Sequence, residues 1–88
     1  MNTTSIFYSI AENNNLDAAQ LDDVVNQAFD KISEKYPQFE MQYEEQGVTV
    51  LNFEDCTDEE TGGWTKEEVE NNLTEELLKE ANKIAQNS

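Results

Sequence analysis

Apolar residues recur along this chain at two periods, and the change from one to the other marks out its elements. Leu21, Val24, Val25, Ala28, Phe29 and Ile32 fall three and four apart, while Asp22, Asp23, Asn26, Asp30 and Glu34 take the opposite side. That spacing predicts an amphipathic helix with one buried stripe. Asp17 is its N-cap, Gln20 completes a capping box, and Leu16 can staple to Leu21 across the first turn. Pro37 stops the helix at or before Tyr36. A second helix follows Thr65, which forms a capping box with Glu68 and lets Trp64 staple to Val69. Its apolar face is Val69, Leu73, Leu77, Leu78, Ala81 and Ile84. Its acids come early and Lys79 and Lys83 come late, which suits the helix dipole.

Between the helices the period drops to two. Phe39, Met41 and Tyr43 alternate with Glu40, Gln42 and Glu44, as in a strand with one buried and one acidic face. Glu45-Gln46-Gly47 supplies a turn, with Gly47 free to take positive φ. Val48 to Phe53 is the next strand. Val48 and Val50 point one way and Leu51 and Phe53 the other, so either both faces are covered or a bulge switches the register. Near the N-terminus, alternation puts Ile6, Tyr8 and Ile10 on one face of a short strand. A helix with Ile6, Phe7 and Ile10 inward fits nearly as well, and the strand is the preferred reading. Thr61-Gly62-Gly63 reads as a flexible connector.

These elements predict an α+β fold in the order β-α-β-β-α, as one small domain over residues 1–88. Two helices pack on one face of a short antiparallel-rich sheet, with the N-terminal segment as a strand or short helix. A right-handed crossover through the first helix makes strands one and two parallel, with strand three between them.

Eighty-eight residues leave room for one core only. Hydrophobic residues are 36% of the chain, which leans toward disorder. About two dozen apolar residues nevertheless sit at periodic positions, each contributing roughly 1.5–3 kcal/mol if buried, enough to rival the ordering entropy of a small domain. Charge is the feature that stands apart. Twenty Asp and Glu face five Lys, for a net −15, with neither Arg nor His. Two like charges ~8 Å apart in water repel by about 0.5 kcal/mol before screening, so the sum opposes compaction. Nucleic acid, anionic membranes and phosphorylated ligands are poor partners for such a surface; basic proteins and cations are suitable ones. No apolar run approaches the length of a membrane span, and no basic region precedes the apolar patch near Ile6, so a cytoplasmic protein without a signal peptide is expected.

Catalysis finds little to work with. Without His there is no side chain whose ordinary pKa lies near neutrality, and without Arg no bidentate clamp. Glycine occurs only at 47, 62 and 63, so there is no phosphate-cradling loop. A carboxylate pair acts as acid and base only when burial separates the two pKa values, and these acids read as solvated. No enzyme and no cofactor are expected. A calcium loop also fails. Taking Gly63 as the loop glycine puts Asp58 first and Glu60 third, but Val69 at the twelfth position, where a bidentate Glu is needed. No dedicated metal site is expected. Acyl carrier proteins are likewise small and acidic, but they need Asp-Ser-Leu opening a helix, and Ser5, Ser9, Ser33 and Ser88 never sit so. Cys56 is the sole cysteine, and Glu54, Asp55 and Asp58 around it disfavour the thiolate.

The acids are concentrated. Between Lys35 and Lys66 lie Glu40, Glu44, Glu45, Glu54, Asp55, Asp58, Glu59 and Glu60, with no base among them, and Glu67 and Glu68 extend the run. Duplex DNA carries one charge per ~1.7 Å of axis, so eight carboxylates match roughly 14 Å of it. In size and charge the chain is similar to small phage-encoded inhibitors of host-defence nucleases, including anti-CRISPR proteins and restriction-enzyme inhibitors. That resemblance implies an acidic nucleic-acid mimic occupying the groove of a basic nucleic-acid-binding protein, with these ten carboxylates as the contact surface. The alternatives are an immunity protein neutralising a basic nuclease toxin, and a non-inhibitory acidic domain whose charge run is a solvated face. Tyr43 and Trp64 sit beside the acids and are candidate hot spots, though core-edge and helix-staple roles suit them better.

Overall fold

Both long helices form where their caps place them, and they carry most of the core. The computed structural model describes residues 5–87. In chain order it contains α1 (Tyr8–Asn14), α2 (Ala18–Lys35), β1 (Met41–Glu44), β2 (Gly47–Val50), a 3-10 turn (Phe53–Asp55), α3 (Asp58–Thr61) and α4 (Lys66–Gln86). The α+β class holds. All three capping boxes close in both directions: Asp17 with Gln20, Thr57 with Glu60, and Thr65 with Glu68. The box at α3 makes an ordered turn of helix from what reads in sequence as an acidic loop. No described helix is long and apolar enough to cross a membrane.

The core is one cluster drawn from every layer: Phe7 and Ile10 from the α1 end, Val24, Val25, Ala28 and Ile32 from α2, Val48 and Val50 from β2, and five residues of α4. Those five, Val69, Leu73, Leu77, Ala81 and Ala85, lie four apart. At 3.6 residues per turn such a row rotates by about 40° per step. One helix thereby serves three neighbours in succession. Glu70 and Thr74 reach β2, Glu76 and Glu80 reach α2, and Asn82 approaches Asn14 of α1. Ala85 is buried and Ile84 is half-buried, a small rotation from the expected stripe.

The N-terminal strand does not exist. Residues from Tyr8 form α1, with Phe7 and Ile10 buried and Tyr8 exposed, so the helical pairing three apart wins over alternation. Ser5 Oγ accepts from the Phe7 N–H and starts the turn, and Asn15 ends the helix in the left-handed conformation that Asn tolerates. The β-α-β-β-α order is therefore replaced by a two-stranded hairpin with helices before and after it, and among the described residues no strand is parallel to another. The edge of β2 where a first strand was expected is already occupied. The Val48 N–H donates to Thr74 Oγ1 and the Val50 N–H to Glu70 Oε2, both at 2.9 Å. Two side chains of α4 thus stand in for a strand.

β2 also ends earlier than expected, at Val50 rather than Phe53, and by neither a bulge nor a covered second face. Asn52 ends it. Its side chain accepts from the Glu40 N–H at 2.8 Å and donates to the Gln38 carbonyl at 3.0 Å, taking over from the ladder after a last backbone bond from the Leu51 N–H to the Glu40 carbonyl at 2.7 Å. Leu51 is left outside at 58% exposure. At the other end, Gly47 has φ +133°, and a Cβ there would lie 2.7 Å from Thr74 Oγ1, so the turn glycine also admits the side chain that seals the β2 edge.

Candidate functional site

All ten acids expected to form the contact surface are exposed. The fold does not hold them as one group. Glu40 immediately precedes β1 at the end where Asn52 closes the hairpin, beside the 3-10 turn that carries Glu54 and Asp55. α3, with Asp58, Glu59 and Glu60, is tied to the same end, because the Gln38 side-chain amide donates to the Glu60 carbonyl at 3.3 Å. Glu67 and Glu68 follow in the first turn of α4. Glu44 and Glu45 lie at the turn of the hairpin instead, about 14 Å along β1 from Glu40 at strand rise. Eight of the ten acids therefore gather at the open end of the hairpin, and two lie apart.

Two of the eight already hold structure together. Glu60 Oε1 accepts from the Thr57 N–H at 2.8 Å, and Glu68 Oε1 from the Thr65 N–H at 3.0 Å. Hydrogen bonds from the Thr65 backbone and hydroxyl hold the Glu68 carboxyl below its ordinary range. Glu70, two residues on from Glu68, is half-buried and bonded to β2. Glu40, Glu54, Asp55, Asp58, Glu59 and Glu67 have no side-chain hydrogen bond or ion pair among the described residues. No group of three or more Asp, Glu, Cys or His side chains in that set is arranged to hold a metal ion.

The lysines are elsewhere. Lys31 lies 3.5 Å from Glu80, and Lys35 lies 3.5 Å from Glu76, both across the seam between α2 and α4. Lys79 and Lys83 border the same seam. Lys66, in the first turn of α4, lies within the acidic end, and Lys35 reaches its edge through Glu76 and Tyr36. Tyr36 donates to Glu76 at 2.7 Å, and this bond, with burial, raises the Tyr36 pKa. Cys56 is half-buried near the Gln38 and Asn52 carbonyls. Burial first, then Glu60 and Asp55, raises its pKa, so the thiol is disfavoured as a nucleophile for a different leading reason than the expected one.

The two candidate aromatics part company. Tyr43 belongs to the core edge: its ring meets Phe7 edge-on at 5.9 Å and Phe29 at 4.9 Å, and its hydroxyl donates to Asn26. Trp64 is 48% exposed and stands within the acidic end. Gly62 and Gly63 beside it are no loose connector. Both have positive φ, and the Gly62 and Gly63 N–H groups return to the Asp58 carbonyl, closing α3 tightly. A Cβ at Gly62 would lie 3.2 Å from Trp64 Cδ1, so the absent side chain leaves the indole its place.

Two cavities flank the hairpin. The larger, about 420 Å³, lies between α1, α2 and the end of β1; its rim carries Asp17 and Asp22 together with Glu44 and Glu45. Pairing of α2 acids with the hairpin turn is invisible to sequence spacing, because it depends on how the hairpin lies across the helix. The second, about 360 Å³, opens beside Trp64 in the acidic end. Compared with known proteins, the chain matches no family model, no curated protein and no solved structure.

Proposed function

We propose that this protein is an acidic inhibitor that occupies the nucleic-acid groove of a basic protein, using the open end of its hairpin as a phosphate surrogate. The observation that carries the proposal is the segregation of charge. Four of the five lysines border the α2–α4 seam, where both ion pairs form. Eight acids at the open end face water on capped, hydrogen-bonded elements whose one lysine is Lys66. Charge adopted for solubility alone has no reason to concentrate so. A rigid anionic surface facing a basic groove gives fast, salt-sensitive association and direct competition with nucleic acid. In this reading none of the carboxylates does chemistry, and the partner is a nuclease or defence protein of the cytoplasm, as for an anti-CRISPR or other anti-defence protein.

The test is capture from host lysate on the immobilised chain, with bound proteins identified by mass spectrometry and challenged with duplex DNA or RNA. The proposal expects a nucleic-acid-binding protein that competing nucleic acid displaces and raised salt releases. Retained proteins indifferent to nucleic acid would overturn it. A single cognate toxin released by neither nucleic acid nor related nucleases would favour an immunity protein instead.

A further inference from the structure

We infer that the cleft beside Trp64 is an arginine-binding pocket, the point at which the acidic end anchors one side chain of its basic partner. The inference rests on the reading above and adds a specific contact to it. The cleft of about 360 Å³ has Tyr36, Phe39 and Leu73 among its lining residues, Trp64 at its exposed side, and Glu59 and Glu60 beside them. That is an apolar and aromatic surface with carboxylates around it, in the part of the chain where bases are almost lacking.

The groups differ in how far the protein has already compensated them. Glu76, also at the cleft, accepts from Tyr36 and pairs with Lys35, and the Lys35 ammonium sits 5.5 Å from the Tyr36 ring centroid. Its charge is answered from within the chain. Glu60 gives one oxygen to the cap of α3 and keeps the other. Glu59 has no partner among the described residues, and Trp64 has a ring held against Gly62 with about half its surface in water. What is uncompensated is therefore the exposed half of an indole, one full carboxylate and half of another.

A guanidinium matches that set. It is planar, stacks on an indole while keeping its edge N–H groups for carboxylates, and is less strongly hydrated than an ammonium. Its aliphatic stem can lie along the apolar residues. A lysine would gain the charge attraction but neither the stacking nor the forked hydrogen bonds. Nucleic-acid grooves are rich in arginine because the same fork suits phosphate, so a phosphate surrogate gains specificity by offering an aromatic shelf with its carboxylates.

Trp64 is the only tryptophan, so its emission reports on the cleft directly. The experiment titrates the full chain with hexa-arginine and hexa-lysine peptides at equal salt, by tryptophan fluorescence and calorimetry. Hexa-arginine should perturb the emission and bind about fivefold tighter than hexa-lysine, a modest cation–π preference. Trp64→Leu, read by calorimetry because it removes the fluorophore, should weaken hexa-arginine binding more than hexa-lysine binding and bring the two affinities together, with circular dichroism to show that the helices persist. Glu59→Gln should reduce the arginine preference and keep the emission change. Equal binding of both peptides to the wild-type chain, with silent emission, overturns the pocket and leaves the acidic-surface reading standing. A preference that survives Trp64→Leu also overturns it. If neither peptide binds at low salt, both readings fall together.

Discussion

At the seam between α2 and α4, acids are answered by lysines: Glu76 and Glu80 each lie 3.5 Å from an ammonium, above a floor that includes the fully buried Leu77 and Ala81. At the open end of the hairpin, acids are answered by the main chain or by water. Glu60 and Glu68 accept backbone N–H groups, Asn52 fastens the strand ends, and the remaining carboxylates have no partner among the described residues. Exposed ion pairs contribute roughly 0–1 kcal/mol, so the seam is held chiefly by apolar burial. A capping side chain contributes about 1 kcal/mol, so the open end is held by several small, local bonds. One region supplies stability. The other holds charge in a fixed arrangement, and only the second has the features of a surface kept ready for a partner.

The most severe way to break that division is through the seam. Leu77→Ala leaves a cavity where three elements meet and should cost about 2–5 kcal/mol in urea denaturation. Loss below ~1 kcal/mol would mean that α4 is not the centre of the core. Next is Gly47→Ala, which combines a positive φ with a 2.7 Å approach to Thr74 Oγ1 and threatens the bond that seals β2. It should cost about 1–3 kcal/mol by the same measurement. Thr74→Val, which removes the acceptor and leaves the glycine, separates the two contributions.

The open end answers to gentler changes. Thr57→Ala removes the cap of α3 and should cost about 1 kcal/mol locally. Faster hydrogen exchange at the Glu60 and Thr61 amides, with little change at Leu77, is the expected signature. Smallest is a pH effect at α4. The Glu68 carboxyl is held below its ordinary range, so its cap is intact above that range and is lost only as pH falls through the lowered value. The Thr65 amide resonance should titrate with a midpoint below that of an ordinary glutamate; a midpoint at or above it would deny the bond.

How much of this was legible in the sequence follows from the range of the interactions. Asp17 with Gln20 and Thr65 with Glu68 act within four residues, and the sequence reveals them. Thr57 with Glu60 obeys the same rule and was masked by the charge around it. Ile6 to Ile10 satisfied two periods at once, and the choice between them rested on which edge of the sheet was vacant. The β2 edge was closed by Thr74 and Glu70, 26 and 20 residues from the N–H groups they bond. The same long range hid the division of the acids. Glu40 and Glu44 are neighbours in sequence but stand at opposite ends of a strand, whereas Glu40 and Asp55 are brought to one end by Asn52.

The claim that location, rather than total charge, makes the binding surface is tested most directly by two matched variants. One neutralises the open end with Glu54→Gln, Asp55→Asn, Asp58→Asn and Glu59→Gln, which spares both capping glutamates. The other neutralises the exposed outer side of α2 with Asp22→Asn, Asp23→Asn, Asp30→Asn and Glu34→Gln. Each removes four charges from the same net −15. Retention of the proposed nucleic-acid-binding partner from lysate, quantified for both beside the wild-type chain, should collapse for the first and persist for the second. Equal loss in both would show that net charge alone draws the partner, and would contradict the assignment of the surface to the open end of the hairpin.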